Sequence, residues 1–217
     1  MGILANAARL LALTGKQMKN RLHDKDIRDP LFDFLEETYG KIRILEEKTI
    51  GRSRADVVMV TPNALYGIEI KSDADTYARL ERQVKDYNAY YDYNYVAVGA
   101  SHGLHVEEHV PGWWGIITAE RAESGMDFYI LRRPGRNPGA DWKKKISILW
   151  RPELAHIQEL NGLPKYKEKS KRFVAGKILE KVPEHVLQAQ LCEELFERDY
   201  TLIQTEILEY KRMNGRR

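Results

Sequence analysis

The chain has 217 residues, 43% of them hydrophobic and 31% charged, with a formal net charge of +3 and one cysteine, Cys192. That balance excludes collagen-like, disordered and disulfide-stapled classes and leaves room for one domain with a helical appendage. The apolar opening from Ile3 to Leu13 is broken by Asn6 and Arg9. It is far shorter than the roughly 20 residues of a bilayer span and lacks a basic leader, so the expectation is a cytoplasmic protein with no membrane partner.

Charge is unevenly spread. Residues 143–181 carry eleven Lys and Arg against four Glu, leaving the rest of the chain with a net −4. A basic stretch beside a mildly acidic body suits a polyanionic partner, although solvated helical faces carry such runs as well.

No repeat or low-complexity tract is visible. Ile3, Leu4, Ala7, Leu10 and Leu11 recur at helical spacing and predict a helix over 3–21. A second helix begins between Asp24 and Pro30, where Asp24, Asp26 and Asp29 can cap. It runs to Tyr39-Gly40 with Ile27, Leu31, Phe34, Leu35 and Thr38 on one face. Segments 41–47, 54–60 and 65–71 are short, apolar and separated by turn-like Gly-Arg-Ser and Thr-Pro-Asn, as in an antiparallel meander. Leu80, Val84 and Tyr87 restore helical spacing over 75–91, and 93–99 reads as a buried strand. Strand, helix, strand in that order is a crossover, which makes the third and fourth strands parallel. Further strands are expected at 114–118 and 126–132, then a hinge at Arg133–Gly139 and helices near 139–148, 152–161, 169–181 and 184–198. The expected division is an N-terminal helical extension (1–23), an α/β core (24–135) and a basic, all-helical C-terminal region (139–217).

Chemistry concentrates in the meander. Alternation puts Glu69 and Lys71 on one face of the third strand, with Ile68 and Ile70 turned into the core. Asp56 on the neighbouring strand can join them. Two carboxylates and a backbone carbonyl suit a hard divalent cation such as Mg²⁺, and a nearby lysine can orient or deprotonate a metal-bound water, the equipment of phosphodiester hydrolysis. The competing reading is an ordinary exposed ion pair. The strongly apolar flanks argue against it, because they would bury these charges at a cost that structure alone does not explain.

Asp56, twelve intervening residues and Glu69-Ile-Lys71 resemble the D…(D/E)-x-K signature of the PD-(D/E)XK nuclease superfamily. Gln83-Val-Lys-Asp-Tyr87 is similar to the Q-x-x-x-Y element of its exonuclease-like and resolvase-like branches. The longer run from Arg54-Ala-Asp56 through Tyr66-Gly-Ile-Glu-Ile-Lys-Ser-Asp73 to Pro111-Gly-Trp-Trp-Gly115 resembles, more narrowly, a group of bacterial and phage nuclease-like proteins. The resemblance implies a restriction-endonuclease-like core of αβββαβ type, a mixed sheet flanked by helices, followed by the all-α region. It implies Mg²⁺-dependent hydrolysis of DNA, with Mn²⁺ able to substitute and endonuclease action favoured.

Carried over residue by residue, Asp56, Glu69 and the Ile70 carbonyl would hold the metal and Lys71 would position the attacking water. Gln83 would support the site, and Tyr87 would pack beneath it or touch DNA. A further acid comes from an earlier element, with Glu36, Glu37, Glu46 and Glu47 as candidates and Glu47 favoured. Arg52 and Arg54, and Lys169, Lys171 and Arg172 on the basic helices, would contact DNA phosphates. Ala55 stands where the superfamily has proline. Cutting two strands with one site would favour a homodimer. The alternative is a catalytically silent or structure-specific DNA-binding module on the same fold.

Other features read as structural. His102, His105 and His109 lack a nearby cysteine and favour surface histidines on a short helix over zinc. Trp113, Trp114 and the tyrosines from Tyr87 to Tyr95 favour packing over base stacking, and Cys192 reads as a small core residue.

Overall fold

The computed structural model describes residues 22–73, 75–99, 103, 105–123 and 125–200. The expected helix over 3–21, His102 and the tail beyond residue 200 lie outside them. Helix α1 (Asp24–Tyr39) starts where Asp26 Oδ2 accepts the His23 N–H at 2.9 Å, and ends at Gly40, whose φ of +74° suits a residue without Cβ. Its stripe of Ile27, Leu31 and Leu35 is fully buried, each worth about 1.5–3 kcal/mol.

Six strands follow: β1 (Arg43–Ile50), β2 (Ser53–Thr61), β3 (Ala64–Lys71), β4 (Tyr93–Gly99), β5 (Gly115–Ala122) and β6 (Gly125–Arg132). They form one mixed sheet in the order β1-β2-β3-β4-β5-β6. The meander β1-β2-β3 is antiparallel, β3-β4-β5 are parallel, and β6 returns antiparallel to β5. The crossover between β3 and β4 is a 3₁₀ turn (Tyr77–Arg79) running into α2 (Leu80–Tyr90), as the change of period requires.

Each sheet face has its own apolar layer. The α1 stripe packs on Val57, Met59, Ile68, Ile70, Ala97 and Ile117. The opposite face buries Val58, Val60, Val96 and Val98 against Leu80, Tyr87 and Tyr91 of the α2 region. Trp114 and the run of tyrosines belong largely to these layers, in keeping with the packing reading; Trp114 Nε1 donates to Asn88 Oδ1 at 2.8 Å. Cys192 is buried, and desolvation pushes its thiol up to about 12. His105 and His109 flank a single 3₁₀ turn (Val106–Glu108) where a short helix was expected, and His109 stacks on Tyr77.

Helices α3 (Trp142–Ile146), α4 (Arg151–Leu160), α5 (Lys171–Lys181) and α6 (Glu184–Phe196) complete the chain. Their apolar residues, among them Ile146, Leu154, Ile178 and Leu191, continue the α2-side cluster. The C-terminal region is therefore welded to the sheet and does not stand as a separate unit. The expected hinge at Arg133–Gly139 is pinned instead: the Asn137 amide nitrogen donates to the carbonyls of Asn88 and Tyr91 at 2.7 Å each, and its backbone N–H to Asp92 at 2.8 Å.

Two buried ionic clusters complete the weld. Lys145, expected among the solvated basic residues, is 3% exposed and bonded to Asp92 and Gln188, while Asp92 Oδ2 accepts the Leu65 N–H at 2.9 Å. Arg198 grips Glu153 with two bonds of 2.6 and 2.7 Å. Removing one partner of such a pair strands a buried charge. Lys145→Ala is expected to lower unfolding free energy by about 3–5 kcal/mol in urea titrations. Lys144→Ala, on the exposed side of α3, should cost less than about 0.5 kcal/mol.

Candidate active site

The β2–β3 ladder runs from Thr61 and Ala64 to Val57 and Ile68 and ends there. Beyond it Asp56 and the Glu69–Lys71 segment face an opening. Asp56 bridges it by accepting the Ile70 N–H on Oδ2 at 2.9 Å, in place of a ladder bond. Because the N–H and C=O of an extended residue project to the same edge, the Ile70 carbonyl also faces this opening.

Simple alternation does not produce this arrangement. Leu45, Val58 and Val60 lie in the α2-side cluster, and so do Ile50 and Ala55, which have the opposite parity on their strands. Both strands slip at one rung. It lies between the pairs Glu46–Val57 and Lys48–Ala55 and holds Glu47 opposite Asp56. Glu47 has φ of +53°, a left-handed conformation that costs a non-glycine residue about 1–2 kcal/mol. The shared slip turns the Asp56 carboxylate sideways toward β3, so the expected cluster forms, by a different route.

Glu69 is 1% exposed and all its bonds are internal. Its Oε1 accepts Lys71 Nζ at 2.5 Å and the Gln83 amide nitrogen, and its Oε2 accepts the Tyr87 hydroxyl at 2.7 Å. The same hydroxyl accepts the Asp56 N–H at 3.1 Å. Tyr87 is fully buried, so it packs beneath the site and does not reach DNA. Gly67 makes room for it: a Cβ there would stand 2.6 Å from the Tyr87 ring and closer still to Tyr91.

Burial first, and Glu69 second, push Asp56 up to about 7, against the Ile70 N–H, Lys71 and Arg28. The two carboxylates thus share a site that could use more positive charge. The cleft around them, about 320 Å³, is lined by Asp24, Arg52, Arg54, Arg79, Arg82 and Gln83, among others. Gln83 Oε1 and Ser53 Oγ are buried on its wall without hydrogen-bond partners. Among the described residues no group of three or more His, Cys, Asp and Glu side chains forms a cation cage. The donor set that fits a metal here is two carboxylates, the Ile70 carbonyl and water, the sparse oxygen set that Mg²⁺ accepts.

The other expected residues fall in four places. Arg52 and Arg54 line the cleft. Glu47 stands at its rim, paired with Arg28 at 3.0 Å and with Arg54, and is no cleft-lining acid; Glu46 is exposed nearby. Glu36 and Glu37 are exposed near the far end of α1, about 18 Å of helix from Asp24. Lys169, Lys171 and Arg172 lie on or before α5, outside the cleft.

Sequence reasoning missed Asp24, Ser53, Arg79 and Arg82. Asp24 looked like a helix cap, but it lies in the cleft and pairs with Arg28 one turn on at 2.9 Å. The spacing of Arg79, Arg82 and Gln83 on the crossover was the available signal.

Two measurements follow from this geometry. Glu47→Gly should be more stable than Glu47→Ala by roughly 1 kcal/mol, the reverse of the usual order, since both lose the ion pairs and only glycine accepts the backbone. Asp56 is protonated more readily folded than unfolded. In EDTA its contribution is full below about pH 4 and is lost as pH rises through about 7. Urea titrations across that window should show a decline that Asp56→Asn lacks.

Over this fold and site, a family model described as bacteriophage P4 protein cII matches residues 17–213. No curated protein and no solved structure matches the chain. With nearly its whole length matched, the chain belongs to the bacteriophage P4 protein cII family.

Proposed function

We propose that this protein is a metal-dependent deoxyribonuclease of the PD-(D/E)XK type, acting as an endonuclease. The observation that carries the reading is the convergence of Asp56, Glu69, Lys71, Gln83 and Tyr87 on the opening between β2 and β3. The element order α1-β1-β2-β3-α2-β4 is the αβββαβ order that the reading requires.

Asp56 and Glu69, with the Ile70 carbonyl, would hold Mg²⁺, with Mn²⁺ as a substitute. When bound, the cation supplies charge neutralisation at the phosphate and a more acidic water. Lys71, held on Glu69 and 6% exposed, would position the attacking water and stabilise the developing charge with its ammonium. Gln83 and Tyr87 fix the Glu69 carboxylate from below, so its position does not depend on substrate. Arg52, Arg54, Arg79 and Arg82 provide the cationic wall that a phosphodiester backbone needs.

A second reading rests on Glu69 itself, whose two oxygens already take three protein donors. A site so well satisfied also suits a DNA-binding module that no longer cuts.

The test is a panel of plasmid, linear duplex, single-stranded and branched DNA with Mg²⁺, Mn²⁺ or EDTA. Cleavage is expected with either metal and none in EDTA. Glu69→Gln, Asp56→Asn and Lys71→Ala should each fall at least about a hundredfold while binding DNA. Binding without cleavage on every substrate would overturn the nuclease in favour of the module.

A further inference from the structure

Behind the β1–β2 hairpin lies a second groove of about 420 Å³, walled by β1, Tyr90 of α2, the α3–α4 link and the start of α5. Lys48 and Lys171 enter it from opposite walls. Lys48 extends over the ring of Trp150, 5.5 Å from its centroid. Lys171, the first residue of α5, donates to the Ser147 carbonyl at 2.8 Å. Among the described residues neither makes an ion pair.

A third cation stands behind them. Arg198 stacks on Trp150 at 3.9 Å, buried, with Nη1 unpartnered although its other nitrogens hold Glu153. Burial first, and the neighbouring Arg198 charge, push Lys48 down to about 8 against the pull of Glu153; burial lowers Lys171 as well, again against Glu153. Two partly desolvated ammonium groups repel each other there, and the carboxylate that faces both, Glu153, is already bound to Arg198, so the pair forms a site that an anion would complete.

We propose that this groove binds a backbone phosphate of a nucleic-acid strand, on Lys48 and Lys171, as a second contact beside the Asp56–Glu69 cleft. The strand as ligand rests on the nuclease reading; the anion site rests on the groove alone. The connection between the two lies in β1. Lys48 follows Glu47, the residue opposite Asp56, and Glu47 is ion-paired to Arg54 of the cleft wall. One strand lying over the hairpin therefore meets Arg54 and then Lys48. The groove is wide enough for a nucleotide unit, and Trp150, Tyr90 and Tyr200 give it aromatic walls. Glu46 and Glu47 also line the groove and repel an anion, so a phosphate is favoured at its Lys48–Lys171 end and away from these carboxylates.

The experiment is fluorescence anisotropy in EDTA with a short labelled duplex and its single strand, so that binding is read without cleavage. The double variant Lys48→Gln/Lys171→Gln should weaken binding about tenfold or more and flatten the salt dependence by nearly two units of slope. Lys48→Arg/Lys171→Arg should restore both. Lys143→Gln/Lys144→Gln, equal in charge change but on exposed α3 positions outside the groove, should leave the slope closer to wild type. Matching melting temperatures would show that the variants fold.

Unchanged affinity and slope in the double variant would overturn the proposal even if wild type cuts DNA. Lysine-dependent binding by a wild type that never cuts would sustain it and remove the nuclease. A melting shift with inorganic phosphate that the double variant loses, without any change in DNA affinity, would reassign the groove to a free anion and overturn the strand.

Discussion

The Tyr87 hydroxyl accepts the Asp56 N–H and donates to Glu69, and the rest of the site depends on both bonds being made. The ladder between β2 and β3 has ended before this point, so apart from the Ile70 N–H donated to Asp56 the phenol is what holds the two carboxylate-bearing strands together here. Like charges so close would spread the opening further. A buried phenol from the crossover helix resists that because it satisfies one strand's donor and the other strand's acceptor. Gly67 is the enabling residue, since any side chain there would push the ring off the sheet. The Tyr-Gly-Ile-Glu-Ile-Lys run and the Gln-x-x-x-Tyr run are thus halves of one steric arrangement.

The second constraint lies on the opposite side of β2. Glu47 keeps a left-handed backbone that a glycine would adopt freely, and two arginines, Arg28 and Arg54, hold its carboxylate. Strain in one strand is what turns the Asp56 side chain into the sheet plane. Arg28 connects both sides of this arrangement, donating to the Asp56 carbonyl at 3.2 Å while pairing with Asp24 and Glu47. The charged groups around the opening therefore share partners, and substitution of one changes the field at the others.

Much of the fold was legible because period and punctuation coincide. The stripe Ile27, Leu31, Leu35 marked α1, the meander was bounded by turn residues, and the return to helical spacing at Leu80 forced β3 and β4 to be parallel. Asp56, Glu69, Lys71 and Gln83 were legible for the same reason. What was not legible depends on backbone irregularity and on tertiary burial. No pattern announces that a glutamate will take positive φ, so Glu47 was expected inside the site and Asp56 on a regular face. Lys145 reads like Lys143 and Lys144, yet it is buried because Asp92 waits on the far side of the sheet edge. Asn137 sits in a Pro/Gly-rich segment that reads as a hinge, and its amide turns that segment into a clamp.

The clamp and the buried pairs bear on how the basic helices can act. Helices on a loose tether would bring their charge to a polyanion at variable distance and with an ordering cost. Here the buried Asp92–Lys145 pair fixes α3 and, through Gln188, α6 to the sheet edge, while Glu153–Arg198 ties α4 to the segment after α6, whose Arg198 carbonyl accepts from Arg43 of β1.

 

The Lys145 and Arg198 side chains are both sealed from water, so neither pair loosens easily in salt. Charge that stays on the surface, at Lys48, Lys171 and the arginines of the cleft, is then held at fixed positions relative to Asp56 and Glu69. On the proposed nuclease reading, rigid spacing between an acidic centre and its cationic surroundings would hold an extended polyanion in one register, because sliding by a phosphate would uncover a lysine at one end and crowd a carboxylate at the other. The buried ion pairs, which on their own are weak evidence of stability, make physical sense as the means of fixing that spacing.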